Sequence, residues 1–289
     1  MPLSPLPRSA LTESKSVAGP QEFSVFDGAV VNESLLYRTN EVIINWAFFA
    51  LMLTATEVGF RLGRKSEART PESIKSQIFT VEAAILGILA LLLGFTMSMA
   101  VSRFEIRKQL VLEEADAIGT SRLRAQLLPA PAGPEIASLL SQYVNVRVQY
   151  GTVGDDLARL EDLNSQTTRL QTELWSKTTA YARQDPNPVT TGLLLQSLNQ
   201  AIDLGEARWM AFQNHVPESV IYVNAVVGLL SAMLVGYSFG VNGRRNIFSM
   251  FMLAVAITLV LAVIIDLDRP RSGYIRGSQQ PITDLLQRR

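Results

Sequence analysis

The sequence predicts an all-α, polytopic membrane protein with four transmembrane helices and a helical extramembrane domain inserted between the second and third. Three observations carry this. Charge is excluded from four long apolar windows, the region between them keeps helical apolar spacing, and no alternating strand pattern occurs anywhere. The chain has 289 residues, 48% hydrophobic and only 18% charged, with Lys+Arg and Asp+Glu equal at 26 each. An ordinary soluble domain carries about 25% charged residues. The windows 42–60, 79–102, 219–241 and 246–265 hold only two charges, Glu57 and Glu82, so the remainder has a normal soluble density.

Each element follows in order. Residues 1–41 lack an apolar run, and Pro2, Pro5, Pro7 and Pro20 among Ser and Gly predict a mobile N-terminal tail. A helix needs about 20 apolar residues to cross the hydrocarbon core. The stretch 42–102 supplies the first and second spans, joined by the loop 61–78. The second runs on through Arg103–Leu128 without a breaker, until Pro129, Pro131 and Pro134 stop it. Region 103–217 is the extramembrane domain, read as three helices with narrow apolar seams. One seam follows Phe104, Val111, Ile118 and Ala125. The next follows Leu139, Tyr143, Val146 and Tyr150 and resumes at Leu163, weakened at Gly151 and Gly154. The last follows Leu195, Leu198, Ile202, Gly205, Trp209 and Phe212. The third and fourth spans, within 218–266, form a hairpin across Asn242–Arg245, and 267–289 is a C-terminal tail.

Several chemistries are excluded. There is no Cys, which removes disulfides, thiol catalysis and Cys-ligated metal, and the single His215 cannot form a His cluster. No nucleophile–base constellation or phosphate loop is present. Gly236-Tyr237-Ser238-Phe239-Gly240 matches a hydrolase pattern, but it lies inside a membrane helix, where the strand-to-helix turn is missing. The sequence therefore predicts no enzyme, no cofactor, no metal site and no nucleic-acid partner.

Charges at the span ends are the candidate functional residues. Glu57 and Glu82 both lie toward the 61–78 side. They read either as a paired carboxylate site for a cation or proton, or as interfacial groups paired to Arg61 or Lys75. Asp266, Asp268 and Arg269 end the fourth span, where anions oppose the helix macrodipole and want a compensating partner. Arg103 and Arg107 are the candidates, and the group reads as a charged ring at a channel mouth or as a structural salt-bridge cluster. The run Glu113-Glu114-Ala115-Asp116 reads either as a group that could coordinate a cation or, as is more common for such a run, as a solvated helix face. Small residues recur at Gly228, Ala232, Gly236 and Gly240 in the third span, and at Ala90, Gly94, Ser98 and Ser102 in the second, a signal for close helix packing. The positive-inside rule, applied to Arg61, Arg64, Lys65, Arg69 and Lys75, puts the 61–78 loop in the cytoplasm and the helical domain outside.

The runs Gly94-Phe95-Thr96-Met97-Ser98-Met99-Ala100-Val101-Ser102-Arg103-Phe104-Glu105 and Glu113–Thr120, with Leu267-Asp268-Arg269-Pro270 and Ser272-Gly273, resemble the bacterial bestrophin-like domain family. The resemblance spans about 42–281. It implies likeness to bestrophin anion channels, which are pentamers with four membrane helices per subunit and a cytoplasmic helical domain between the second and third. The expected function is an oligomeric ion channel or permeation protein in the bacterial inner membrane, its second helix lining the path. Its expected partners are the lipid bilayer, further copies of itself and a small inorganic ion. The alternative is a non-conducting scaffold or sensor whose helical domain binds a partner.

Overall fold

A computed structural model describes residues 40–154, 156–185, 188–269 and 273–287. The N-terminal tail, with Pro270, Arg271 and Ser272, lies outside the described residues. Among those described there are helices and no strand. Four helices are long and apolar enough to cross a membrane. They comprise α1 (Glu41–Ser66), the first part of α2 (Glu72–Ala125), α6 (Glu218–Val241) and α7 (Ile247–Asp268). The extramembrane part holds the rest of α2, with α3 (Ala132–Thr152), α4 (Leu157–Ala182), α5 (Pro188–Gln213) and the short α8 (Gln280–Gln287).

The domain thus has one helix more between 103 and 217 than the seams predict. The stretch read as one weakened helix is the α3–α4 hairpin. Gly154 turns it at φ +66°, a conformation favoured by glycine, and the Asp156 side chain caps α4 by accepting from the Arg159 N–H. The tail also contains an unforeseen element. Ile282 and Leu285 of α8 are buried in the domain core beside Ile118, Ile136 and Leu140.

The membrane helices are joined most closely through α1 and α6. Lipid supplies no hydrophobic drive between spans, so association depends on close packing. A Cβ on Gly236 would collide with the Thr56 carbonyl, and one on Gly240 with the Phe60 carbonyl. Reciprocally, a Cβ on Gly59 or Gly63 would strike the carbonyls of Met233 or Tyr237. Gly228 and Ala232 continue this packed row of α6. The small row of α2 behaves differently. A Cβ on Gly94 would meet nothing within 4 Å, and Ser98 is exposed, so neither packs against another helix of the same chain.

This contrast predicts opposite responses to one substitution. Gly236→Val forces backbone apart and should cost at least about 2 kcal/mol, read as a lowered melting temperature of the detergent-solubilised protein. Gly94→Val should leave the melting temperature of a single subunit unchanged.

Candidate functional site

Two groups of charged residues organise the molecule, one where membrane bundle and domain meet and one inside the domain. At the joint, α7 ends in Asp266, Leu267 and Asp268, all buried. Asp268 resolves its conflict with the α7 dipole by reaching the next positive end. Both of its carboxylate oxygens accept from the Val216 N–H at 3.0 Å, just before α6 begins. His215 Nδ1 lies 3.1 Å from the Asp268 carbonyl oxygen. Asp266 accepts from the backbone N–H groups of Tyr274 and Ile275, at 2.5 and 3.0 Å, and so shapes the return of the chain. The Glu41 side chain, at the start of α1, meets Asp266.

The expected basic partners Arg103 and Arg107 lie at the joint and also donate to other acceptors. Arg107 donates to the Leu267 carbonyl at 2.5 Å, satisfying a group that α7 leaves without a helical partner. Arg103 donates to the Asn214 side chain. Arg269 is buried at 4% exposure. Asp266 and Asp268 are therefore turned inward to cap backbone N–H groups, and within the chain they present no ring of free charge.

At the opposite side of the membrane, Glu57 bonds Arg61 at 2.8 Å and Arg245 at 2.6 Å. Lys75 pairs with Glu72. Glu82 approaches Ser238 of α6. The two carboxylates thus have different neighbours, Arg61 and Arg245 for Glu57 and Ser238 for Glu82.

Inside the domain, the structure corrects the reading of residues 113–116 as a wholly solvated face. Glu113 and Asp116 are exposed, whereas Glu114 is completely buried. Its carboxylate meets Arg147 of α3 at 2.5 Å and Arg208 of α5 at 2.7 Å. Tyr143 donates its hydroxyl to Glu114 at 3.3 Å, and Gln171 of α4 donates to that hydroxyl at 3.3 Å. Arg147 also stacks over the Tyr150 ring, 4.7 Å from its centroid. Gly205 makes this approach possible, because a Cβ there would press on the Tyr143 hydroxyl and the Gln171 amide. Helices α2, α3 and α5 thus meet at one carboxylate, and α4 joins them through the Tyr143 hydroxyl.

Burial alone would raise the Glu114 carboxyl, but the Arg147 and Arg208 guanidiniums overcome it and hold the group below the usual carboxylate range. Burial pushes the Tyr143 phenol up, and the neighbouring Glu114 charge pushes it further. Two guanidiniums share one carboxylate, so among the described residues the cluster has a formal charge of +1. A sequence signal for it exists in Arg147, which interrupts the seam between Val146 and Tyr150, and in the glycine at position 205.

The cluster predicts a strong effect of one substitution. Glu114→Gln leaves two buried guanidiniums without their anion and should cost about 3–5 kcal/mol, whereas Glu113→Gln should be neutral. Because the folded Glu114 carboxyl sits below its unfolded value, its stabilisation is complete above about pH 5 and is lost as pH falls through the folded value. Thermal melts as a function of pH should show this acid loss in the wild type and not in Glu114→Gln.

The comparisons agree with this architecture. The Bestrophin-like domain model matches residues 47–282. No functionally curated protein matches the chain. Among solved structures, a bacterial bestrophin homologue from Klebsiella pneumoniae carrying a tryptophan-to-alanine substitution aligns with TM-score 0.65 and 15% identity, covering 87% of this chain and 97% of the other. A second structure of that homologue gives TM-score 0.62 and 17% identity over 86% and 96% of the two chains. The fold is shared at this identity, and the family match covers most of the sequence. The chain is an integral membrane protein belonging to the Bestrophin-like domain family.

Proposed function

We propose that the chain is one subunit of a homo-oligomeric ion channel of the bacterial inner membrane, with α2 lining the permeation path. The observation that carries this reading is the unpartnered face of α2. Only 11% of its most apolar stretch is buried within the chain, against 39% for the third span. Ala84, Ile88, Leu91, Phe95, Ser98 and Ser102 form one exposed ridge at helical spacing. Copies arranged around an axis would bury this ridge or enclose a path with it. Family membership supports the same reading.

The ridge continues beyond the membrane as Ile106, Gln109, Glu113 and Asp116, all exposed. Repeated around an axis, Glu113 and Asp116 form acidic rings, which attract cations and repel anions. With Asp266 and Asp268 committed to backbone caps, these two residues are the better candidates for setting selectivity. Glu57 and Glu82 remain candidates at the far end, as charges held near the membrane surface.

Purified protein in planar bilayers should show a conductance that favours cations, and Glu113→Lys should move the reversal potential toward that of anions. Silent bilayers at high protein load would overturn the channel reading. Family membership favours a cytoplasmic domain over the placement given by the charge rule. Single Cys residues introduced at Ser66, Ser165 and Ser278 report this directly, since the chain has no Cys of its own. An impermeant thiol reagent on intact cells should label position 66 and spare 165 and 278; the reverse pattern would put the domain outside.

A further inference from the structure

Helix α6 is fixed to α1 by its glycine row and turns a neighbouring face to α2. On that face the Asn224 side chain donates to the Thr96 hydroxyl at 2.9 Å and to the Val220 carbonyl at 2.8 Å. The Thr96 hydroxyl donates in turn to the Leu92 carbonyl at 2.8 Å. Asn224 and Thr96 are each 1% exposed. A second polar contact lies toward the 61–78 side, where Glu82 of α2 meets Ser238 of α6. Glu82 and Thr96 stand fourteen residues apart on α2, and Ser238 and Asn224 fourteen apart on α6. The two helices run in opposite directions, so both contacts belong to one antiparallel register, two heptads and about 21 Å long. Between them Leu89 and Leu93 of α2 and Ser231 and Val235 of α6 are buried. This seam lies behind the exposed ridge. At about 100° per residue, Glu82, Leu89, Leu93, Thr96 and Ala100 centre about 150° around α2 from Ala84, Ile88, Leu91, Phe95 and Ser98.

We propose that Asn224, supported by Ser238, is a positioning residue for permeation: by clasping Thr96 from behind, it fixes the rotation of α2 and so presents Phe95 to the path. The inference rests on the placement of α2 at the path proposed above, and adds what holds the helix in that orientation. Apolar contacts are non-directional and tolerate a turning helix. A hydrogen bond between two side chains is directional and does not. The amide itself is costly. Its carbonyl oxygen is buried and, among the described residues, accepts no bond, an unfavourable state in an apolar interior. Leucine would fill the place without that cost. A single polar group at a helix seam has this effect in general, fixing register while lowering stability.

The test uses the full chain in bacterial membranes, where the absence of Cys lets single cysteines report the surroundings of α2. Leu91→Cys, Leu92→Cys, Gly94→Cys, Phe95→Cys, Ser98→Cys and Met99→Cys are each treated with a short bifunctional maleimide. The fraction of subunits linked to another copy is read on denaturing gels. Linkage should peak at positions 91, 95 and 98. Adding Asn224→Leu should move the peak to one flank of the ridge, to 92 and 99 or to 94. In that variant the Thr96 hydroxyl keeps its bond to the Leu92 carbonyl, so the melting temperature should not fall. Thr96→Val should shift the pattern in the same way, whereas Thr96→Ser keeps the hydroxyl and should leave it unchanged. An unmoved pattern in both Asn224→Leu and Thr96→Val would overturn the proposal. So would a fall in linkage at every position together with a lowered melting temperature, the mark of a merely structural role. No linkage at any position without these changes would overturn the placement of α2 at the path, and the proposal with it.

Discussion

The unbroken backbone ladder of α2 is the constraint on which the remaining architecture depends. Its 54 residues extend about 80 Å, from one membrane surface through the bilayer and along the whole domain. A helix of that length cannot bend sharply without a proline, a bulge or an inserted group, and the sequence between Glu72 and Ala125 contains no proline. The direction of the span therefore fixes the direction of the domain. Helices α6 and α7 pack on its membrane part, and α3, α5 and α8 on its outer part.

Rigidity along α2 leaves the joint beside it to be settled by polar contacts. Three chain segments converge there: the end of α7, the entry to α6 and the return toward α8. Each ends or begins with backbone groups that no helix satisfies. Asp268, Asp266 and Arg107 take these groups in turn, each side chain serving an element other than its own. The same economy governs the domain interior, where Glu114 gathers groups from α3 and α5 directly and from α4 through Tyr143. Buried charge of this kind adds little net stability over an apolar core, but removing one partner is costly. It specifies which helices meet and at what height.

The fold was legible from sequence where the signal was local and repetitive. Apolar windows gave the spans, and the four- and three-residue spacings gave the seams. Gly151 and Gly154 marked a weakness, but helical spacing continued across it on both sides, which concealed the α3–α4 turn. The tail helix α8 is too short for periodicity to identify, and its buried positions depend on partners far away in sequence. Glu114 was hidden for a related reason. It stands in an acidic run with two exposed neighbours, and only the three-dimensional approach of Arg147 and Arg208 distinguishes it. The packing row Gly228–Gly240 was readable, while its partners Gly59 and Gly63 lay unremarked in an otherwise bulky span. Gly94 and Ser98 carry the same small-residue signal but pack against nothing in their own chain. Spacing identifies a row of small residues; it does not say whether the row meets a neighbour, another copy or a path.

The division of acidic residues between interior and ridge bears directly on ion preference. A carboxylate that already accepts backbone N–H bonds, as Asp266 and Asp268 do, has much of its field spent on fixed dipoles, and little reaches a passing ion. Glu114 is surrounded by guanidiniums, so its surroundings are net positive. Glu113 and Asp116 differ in being exposed on the same side of α2 as Phe95 and Ser102. A unit charge acting across water at several ångströms contributes on the order of 1 kcal/mol, and a ring multiplies that by the number of subunits. In the homo-oligomeric channel proposed above, the ion preference would be decided by the two exposed carboxylates of α2, while the more deeply placed acids hold the walls in position.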